Sequence, residues 1–265
     1  MGITIIQRSH AKTRKLNPRL ALVLAGGAVT GGAFKLGGLR ALDDYLVNRK
    51  VVDFDVYVGL SAGAFLAAPL AAGITPEDLV SSIDGDGDIG QFHLLDVYFP
   101  NVGEMLSKPL EYVTDLVTYV PRALADVLMR APESVQRLRE PLETWIAEPT
   151  LDNLRGVAGV IVESLQTTHQ LPFPLTYLPS GLFDNRRIER FIRESFAARG
   201  FTNDFRALYE MRGKELYIVA VNLDTAERVV FGHDEDASLT ISQAVQATTA
   251  LPGFYKPARI NGIDY

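Results

Sequence analysis

Cysteine is absent from the 265-residue sequence. Disulfide bonds, cysteine-ligated zinc and thiol nucleophiles are therefore excluded, and the chain suits a reducing cytoplasm. Excess positive charge is missing too: 26 Lys and Arg face 32 Asp and Glu, a net charge of −6 with a pI near 5.3. A nucleic-acid partner, which draws on a basic stripe or patch, is not expected. No secretory signal is legible, because Met1 to Lys15 carries Arg8, Lys12, Arg14 and Lys15 without an apolar core segment. An uncharged run from Val56 to Thr75 has the length of a membrane span. Gly59, Ser61, Gly63, Pro69 and Gly73 interrupt it, and Asp55 and Glu77 close it, so it reads as a buried strand followed by a buried helix. These absences point to a cytoplasmic or peripheral-membrane location.

What is present suits a soluble globular chain: 47% apolar and 22% charged residues. A chain of this length can bury a large core as one domain with a sizeable insertion.

The first strong pattern is Leu20 to Leu24, a continuous apolar run suited to a buried strand. It enters Ala25-Gly-Gly-Ala-Val-Thr-Gly-Gly-Ala33, four glycines within seven residues. Phe34, Leu36, Leu39, Leu42, Tyr45 and Leu46 then recur at helical spacing up to Val47. With the strand at Val56 to Val58, this makes a βαβ unit and a parallel sheet. A phosphate-binding loop needs Lys and Ser or Thr after its second glycine, and Ala33 and Phe34 stand there. The dinucleotide pattern G-x-G-x-x-G is absent as well. What fits the four glycines is an oxyanion hole, whose backbone N–H groups meet a carbonyl oxygen as it becomes charged.

One strand later the chain reads Gly59-Leu60-Ser61-Ala62-Gly63, a G-x-S-x-G pentapeptide between a strand and the helix-favouring Ala64 to Ala68. Strand, sharp turn and helix form the context of a nucleophile elbow, with Ser61 at a helix N-terminus. A plain tight turn is the alternative.

Further on, Thr75-Pro-Glu-Asp78 reads as a capped helix start running to about Ile83. Asp84, Asp86 and Asp88 lack the Gly and Glu at the positions a calcium loop requires, and read as a solvated acidic turn. From about 90 to 180 helical stripes punctuated by prolines replace the strand pattern. One stripe comprises Leu106, Leu110, Val113, Val117, Val120, Leu124 and Leu128. It can pack on other helices or the core, or form a cap whose apolar face meets lipid. The α/β pattern resumes with a helix over Asn185 to Phe196, whose Arg186, Arg187, Arg190 and Arg193 read as a solvated face. A strand over Glu215 to Leu223 pairs with Arg228 to Phe231, a helix spans Thr240 to Ala250, and a hairpin turns at Asn261-Gly262.

Taken together these residues resemble the patatin-like phospholipase family. The resemblance rests on Leu22-Val-Leu-Ala-Gly-Gly27, Gly37-Gly-Leu-Arg-Ala-Leu42, Asp55 to Gly63, Gly181-Leu-Phe-Asp-Asn185, Val221-Asn-Leu-Asp224 and Ala247-Thr-Thr-Ala-Leu-Pro-Gly-Phe254. It covers about 20–83 and 180–265. It implies a three-layer α/β fold with a central, mostly parallel sheet and a helical insertion. The organisation expected is a basic tail over 1–19 and a domain over 20–265, with the insertion at about 90–180.

The activity implied is a lipid acyl hydrolase of phospholipase A or lysophospholipase type, using a Ser–Asp dyad and neither cofactor nor metal. Ser61 matches the nucleophile, and Gly26, Gly27, Gly31 and Gly32 match the oxyanion hole. The implied partners are a phospholipid or other acyl lipid and, peripherally, a membrane surface. Two departures stand out. The glycine loop is a residue longer than the family's and lacks its Arg or Lys. The segment Ile260 to Tyr265 matches one that runs directly into the catalytic Asp, which by this match falls two residues after Tyr265; Asp264 is not its equivalent. The chain is therefore expected to be C-terminally incomplete, to associate with the remaining part of the protein, and to be nearly inactive alone. Two other readings stay open: a Ser–His–Asp esterase with His233 as base, and a catalytically silent lipid- or partner-binding domain.

Overall fold

Short apolar stretches spaced by helices build the sheet that organises the fold. The computed structural model describes residues 18–84, 92–165 and 174–265. In chain order the elements are β1 (Ala21–Leu24), α1 (Ala28–Tyr45), β2 (Val56–Gly59), α2 (Ala62–Ala72), α3 (Pro76–Asp84), α4 (Leu94–Val97), α5 (Val102–Ala147) and α6 (Leu151–Leu165). There follow β3 (Gly181–Phe183), α7 (Arg186–Ala198), α8 (Phe205–Arg212), β4 (Glu215–Asn222), β5 (Glu227–Phe231), α9 (Ile241–Thr249), β6 (Gly253–Tyr255), β7 (Arg259–Ile260) and β8 (Ile263–Asp264). The chain divides into two compact units, Met1–Pro100 with Gly181–Tyr265, and Asn101–Ser180.

In the first unit the central sheet runs β1-β2-β4-β5, with β1, β2 and β4 parallel and β5 antiparallel to β4. This is the mostly parallel α/β arrangement implied by the resemblance. The register aligns Leu24 with Gly59 and Gly59 with Ile218, so all three parallel strands point to one end. Parallel strands need crossovers, and α1 supplies the one between β1 and β2. Two small sheets, β3 with β6 and β7 with β8, complete the described strands.

Helix α2 is the centre of the core. It is apolar all round, the mark of a fully buried helix, and every residue from Gly63 to Ala72 except Phe65 is buried. It packs against β1, β2, β4 and α9. Phe65, on its margin, stacks on Phe191 and meets Phe92 at a tilt, with ring separations of 5.7 and 5.0 Å. The run from Val56 to Thr75 is thus a strand and a core helix, and among the described residues no helix is long and apolar enough to cross a membrane. Gly73, at φ 105°, ends α2 in the left-handed conformation. Thr75 and Asp78 then cap α3 reciprocally, at 2.9 Å and 3.2 Å.

The structure corrects the sequence reading at several points. Helix α1 starts at Ala28 rather than near Phe34, so Gly31 and Gly32 are helical. Its first turns consist of small residues, which leave no apolar periodicity to detect. In the second unit α5 is a single 46-residue helix that contains Pro109, Pro121, Pro132 and Pro141. Each proline removes one N–H from the ladder, and the remaining bonds carry the helix past it. Leu106, Leu110, Val113 and Val117 are all more than half exposed, so this part of the α5 stripe is not packed away. Strands β3 and β6 and helix α8 were not anticipated. Of the acidic turn expected at Asp84, Asp86 and Asp88, Asp84 is the last residue of α3, and Asp86 and Asp88 lie outside the described residues.

Asp184, just after β3, is 3% exposed. It accepts from Arg186 Nε at 2.7 Å and pairs with Lys256 Nζ at 2.8 Å, and its N–H donates to Phe99 O at 2.8 Å. Burial pushes its carboxyl upward, but the hydrogen bonds from Arg186 and Lys256 outweigh burial and hold it below the ordinary carboxylate value. A depressed value in the folded state stabilises the protein fully above the ordinary carboxylate range, and that contribution is lost as pH falls through the lowered value. Asp184→Asn is expected to lower stability by about 1–3 kcal/mol at neutral pH. Thermal melts as a function of pH check this: the gap to the wild type should close on acidification.

Candidate active site

At the end of β2 the backbone turns sharply into α2, and Ser61 stands at the turn as the N-cap of α2, with φ 53° and ψ −126°. A non-glycine residue with positive φ costs roughly 1–3 kcal/mol and persists where its surroundings over-determine it. Here they do. Leu60 N–H donates to Leu24 O at 3.1 Å, Gly63 N–H to Leu60 O at 2.9 Å, and Ala64 N–H to Ser61 O at 2.8 Å. The two motif glycines are required by close approach. A Cβ on Gly59 would lie 2.4 Å from Ala64 Cα, and one on Gly63 would lie 2.0 Å from Leu24 O. Neither gap admits a side chain.

The structure also brings the glycine loop to this turn, and the four glycines divide into two pairs. A Cβ on Gly26 would sit 3.4 Å from Ser61 Cβ and 4.0 Å from its Oγ, and one on Gly32 would sit 3.6 Å from Ala62 Cβ. Gly27 and Gly31 face instead the ammonium of Lys35, which would be 3.1 Å and 3.3 Å from a Cβ at those positions. The N–H of Gly31 is committed to Gly27 O at 2.8 Å. Gly27 is the N-cap of α1, with φ 148°, and Ala28 follows at φ 51°. A helix leaves the N–H groups of its N-cap and first three residues outside its own ladder, here Gly27 to Thr30. These are the donors the arrangement offers, and Gly31 is not among them.

Thr248 was missed by the sequence reading although it falls within the Ala247 to Phe254 match. On α9, it accepts the Ser61 N–H at 2.9 Å and donates to Val219 O at 2.5 Å. The hydroxyl thus bolts the turn to β4. Nothing local in the sequence couples residues 187 positions apart.

His233 is not brought to Ser61. Phe231 pairs with Ile218 on antiparallel β5, so two residues later His233 has returned to the N-terminal end of β4. Ser61 follows the C-terminal end of β2, on the order of 10 Å away along the strand direction. The His233 ring stacks on Tyr209 at 3.9 Å, and its Nδ1 lies 3.4 Å from Asp234 Oδ1. At the chain's last residues, Asp264 O accepts from Leu223 N–H at 2.8 Å and the Asp264 side chain pairs with Arg259. Tyr265 exchanges two backbone hydrogen bonds with Ala258 and packs on Phe231 with ring centroids 5.8 Å apart. No group of three or more potential metal ligands occurs among the described residues.

A family model described as patatin-like phospholipase matches residues 22–265. The chain belongs to the patatin-like phospholipase family. Among solved structures it is similar to the crystal structure of VipD from Legionella pneumophila, with 18% identity and a TM-score of 0.40. That alignment covers 93% of this chain and 45% of VipD, so the chain spans less than half the length of that relative. A search of curated proteins finds no match. The family match takes in the glycine loop, the G-x-S-x-G turn and the Thr248 segment.

Thr248→Val keeps the side-chain shape but leaves the Ser61 N–H without its acceptor. The variant is expected to lose about 1–3 kcal/mol in a denaturant titration, whereas Thr248→Ser, which keeps the hydroxyl, should stay within about 1 kcal/mol of the wild type.

Proposed function

We propose that the chain is the serine acyl hydrolase domain of a lipid-cleaving enzyme of phospholipase A or lysophospholipase type. Family membership supports lipid acyl hydrolase activity in general. The observation that carries the finer reading is the strained Ser61, held at a helix N-terminus with Gly26 packed against it. In this reading Ser61 Oγ attacks the ester carbonyl while a base takes its proton. The carbonyl oxygen becomes an oxyanion beside the N–H groups of the glycine loop. Collapse breaks the ester C–O bond, the alcohol leaves with the proton, and water then hydrolyses the acyl-enzyme.

The base in this proposal is an Asp that follows Tyr265, giving a Ser–Asp dyad. Two observations support it: the motif match of Ile260 to Tyr265, and the hydrogen bond from Leu223 N–H to Asp264 O at the C-terminal end of β4, the strand beside β2. The position of His233 at the other end of β4 speaks against the triad alternative. The substrate is an acyl lipid met at a membrane surface. The exposed Leu106, Leu110, Val113 and Val117 of α5 support peripheral contact with lipid.

The test is fluorophosphonate labelling mapped by mass spectrometry, on residues 1–265 alone and on a longer form carrying the residues that follow. Ser61 should label in the longer form, Ser61→Ala should not, and 1–265 alone should be nearly inert. Labelling of Ser61 in 1–265 would place the activating group within these residues. No labelling in either form would favour a silent lipid- or partner-binding domain.

A further inference from the structure

The glycine loop carries no basic residue between Ala25 and Ala33, yet a cation stands against it. Lys35, two turns into α1, folds back so that its Nζ donates to Gly26 O at 2.9 Å and to Gly31 O at 3.1 Å. Gly26 belongs to the strand end and Gly31 to the helix, so a single ammonium ties the two sides of the loop together. The space it occupies exists because residues 27 and 31 lack side chains. A Cβ at either would stand 3.1–3.3 Å from Nζ, tighter than ordinary contact.

This contact has a directional consequence. In a trans peptide the C=O and the following N–H point in opposite directions. Holding Gly26 O on Lys35 therefore turns the N–H of Gly27 away from Lys35, out of the loop's cationic side. Gly27 N–H is one of the groups that α1 leaves outside its own ladder, and Gly26 in the same peptide unit packs on Ser61. Flipping that peptide would break both the ammonium contact and the orientation of the donor. A charge-assisted hydrogen bond is roughly twice as strong as a neutral one, which suits it to hold a backbone of high intrinsic freedom.

We propose that Lys35 is a positioning residue for the oxyanion site: its ammonium fixes the Gly26–Gly27 peptide so that the Gly27 N–H is presented to the carbonyl oxygen of an ester attacked by Ser61. The assignment rests on the acyl hydrolase reading given above. Lys35 does not touch the substrate. Its contribution is to remove the reorganisation the loop would otherwise undergo when charge develops, and that benefit falls on the transition state rather than on substrate binding.

The experiment uses the full-length protein carrying these residues and measures hydrolysis of p-nitrophenyl esters, with kcat and KM separated and Tm recorded for each variant. Lys35→Gln is too short to span both carbonyls, and Lys35→Met removes the donor altogether. Each is expected to lower kcat by about 10- to 100-fold with KM within about twofold and Tm nearly unchanged, while Lys35→Arg recovers most of kcat. Should Lys35→Met fail to fold, Lys35→Gln decides on the same criteria. A wild type with Ser61-dependent turnover and a Lys35→Gln variant of equal kcat would overturn the assignment and leave the hydrolase reading standing. A joint loss of kcat and Tm without rescue by Lys35→Arg would also overturn it, as a structural role only. A wild type no more active than Ser61→Ala would overturn the hydrolase reading and this assignment with it.

Discussion

Helix α2 lies against β1 and the end of β2 with no side chain between backbones, and the site is built on that contact. Gly63 meets the carbonyl of Leu24, and Gly59 meets Ala64, at distances that exclude any Cβ. Once the two backbones touch, the chain between them has little room. Leu60 and Ser61 must reverse direction in two residues, and Ser61 takes up a positive φ. The strain at Ser61 is thus a consequence of burying an apolar helix directly on a parallel sheet. It is balanced by the many small gains of that burial, from Ala64 to Ala72.

The same compression explains why separate parts of the chain meet at Ser61. The loop after β1 and the turn after β2 lie at the same end of adjacent parallel strands, where Leu24 pairs with Gly59. The open α/β sheet gathers its loops at the carboxyl ends of its strands, which is where sites form in such sheets. Thr248 arrives there from α9, which packs on both α2 and β4. His233 does not, because antiparallel β5 carries the chain back to the opposite end. Strand direction alone separates the two residues.

Charge enters this neighbourhood sparingly. The ammonium of Lys35 is bound to carbonyls rather than to a carboxylate. Several other cations of the first unit are paired with acids, as in Asp184 with Arg186 and Lys256, or Asp78 with Arg199. A cation satisfied by backbone oxygens keeps its charge un-neutralised by a formal anion. That field lies behind the loop that the proposed chemistry would ask to stabilise negative charge.

Much of this was legible in the sequence because it depends on local rules. The strand at Val56, the G-x-S-x-G turn and the capping residue Thr75 all follow from nearest-neighbour chemistry, as does the hairpin at Asn261-Gly262. The order of the family motifs was legible for the same reason. Other features had no local signature. The start of α1 at Ala28 is written in residues too small to show a periodicity, and the passage of α5 through four prolines is a property of the whole helix. Sequence by itself determined the class of fold and the presence of a strained serine turn, since both are set by backbone sterics and apolar spacing over a few residues. Tertiary structure decided which glycines face Ser61 and which face Lys35, that Thr248 holds the turn, and that His233 stands apart. Those depend on strand register and helix packing, which join residues far apart in the chain.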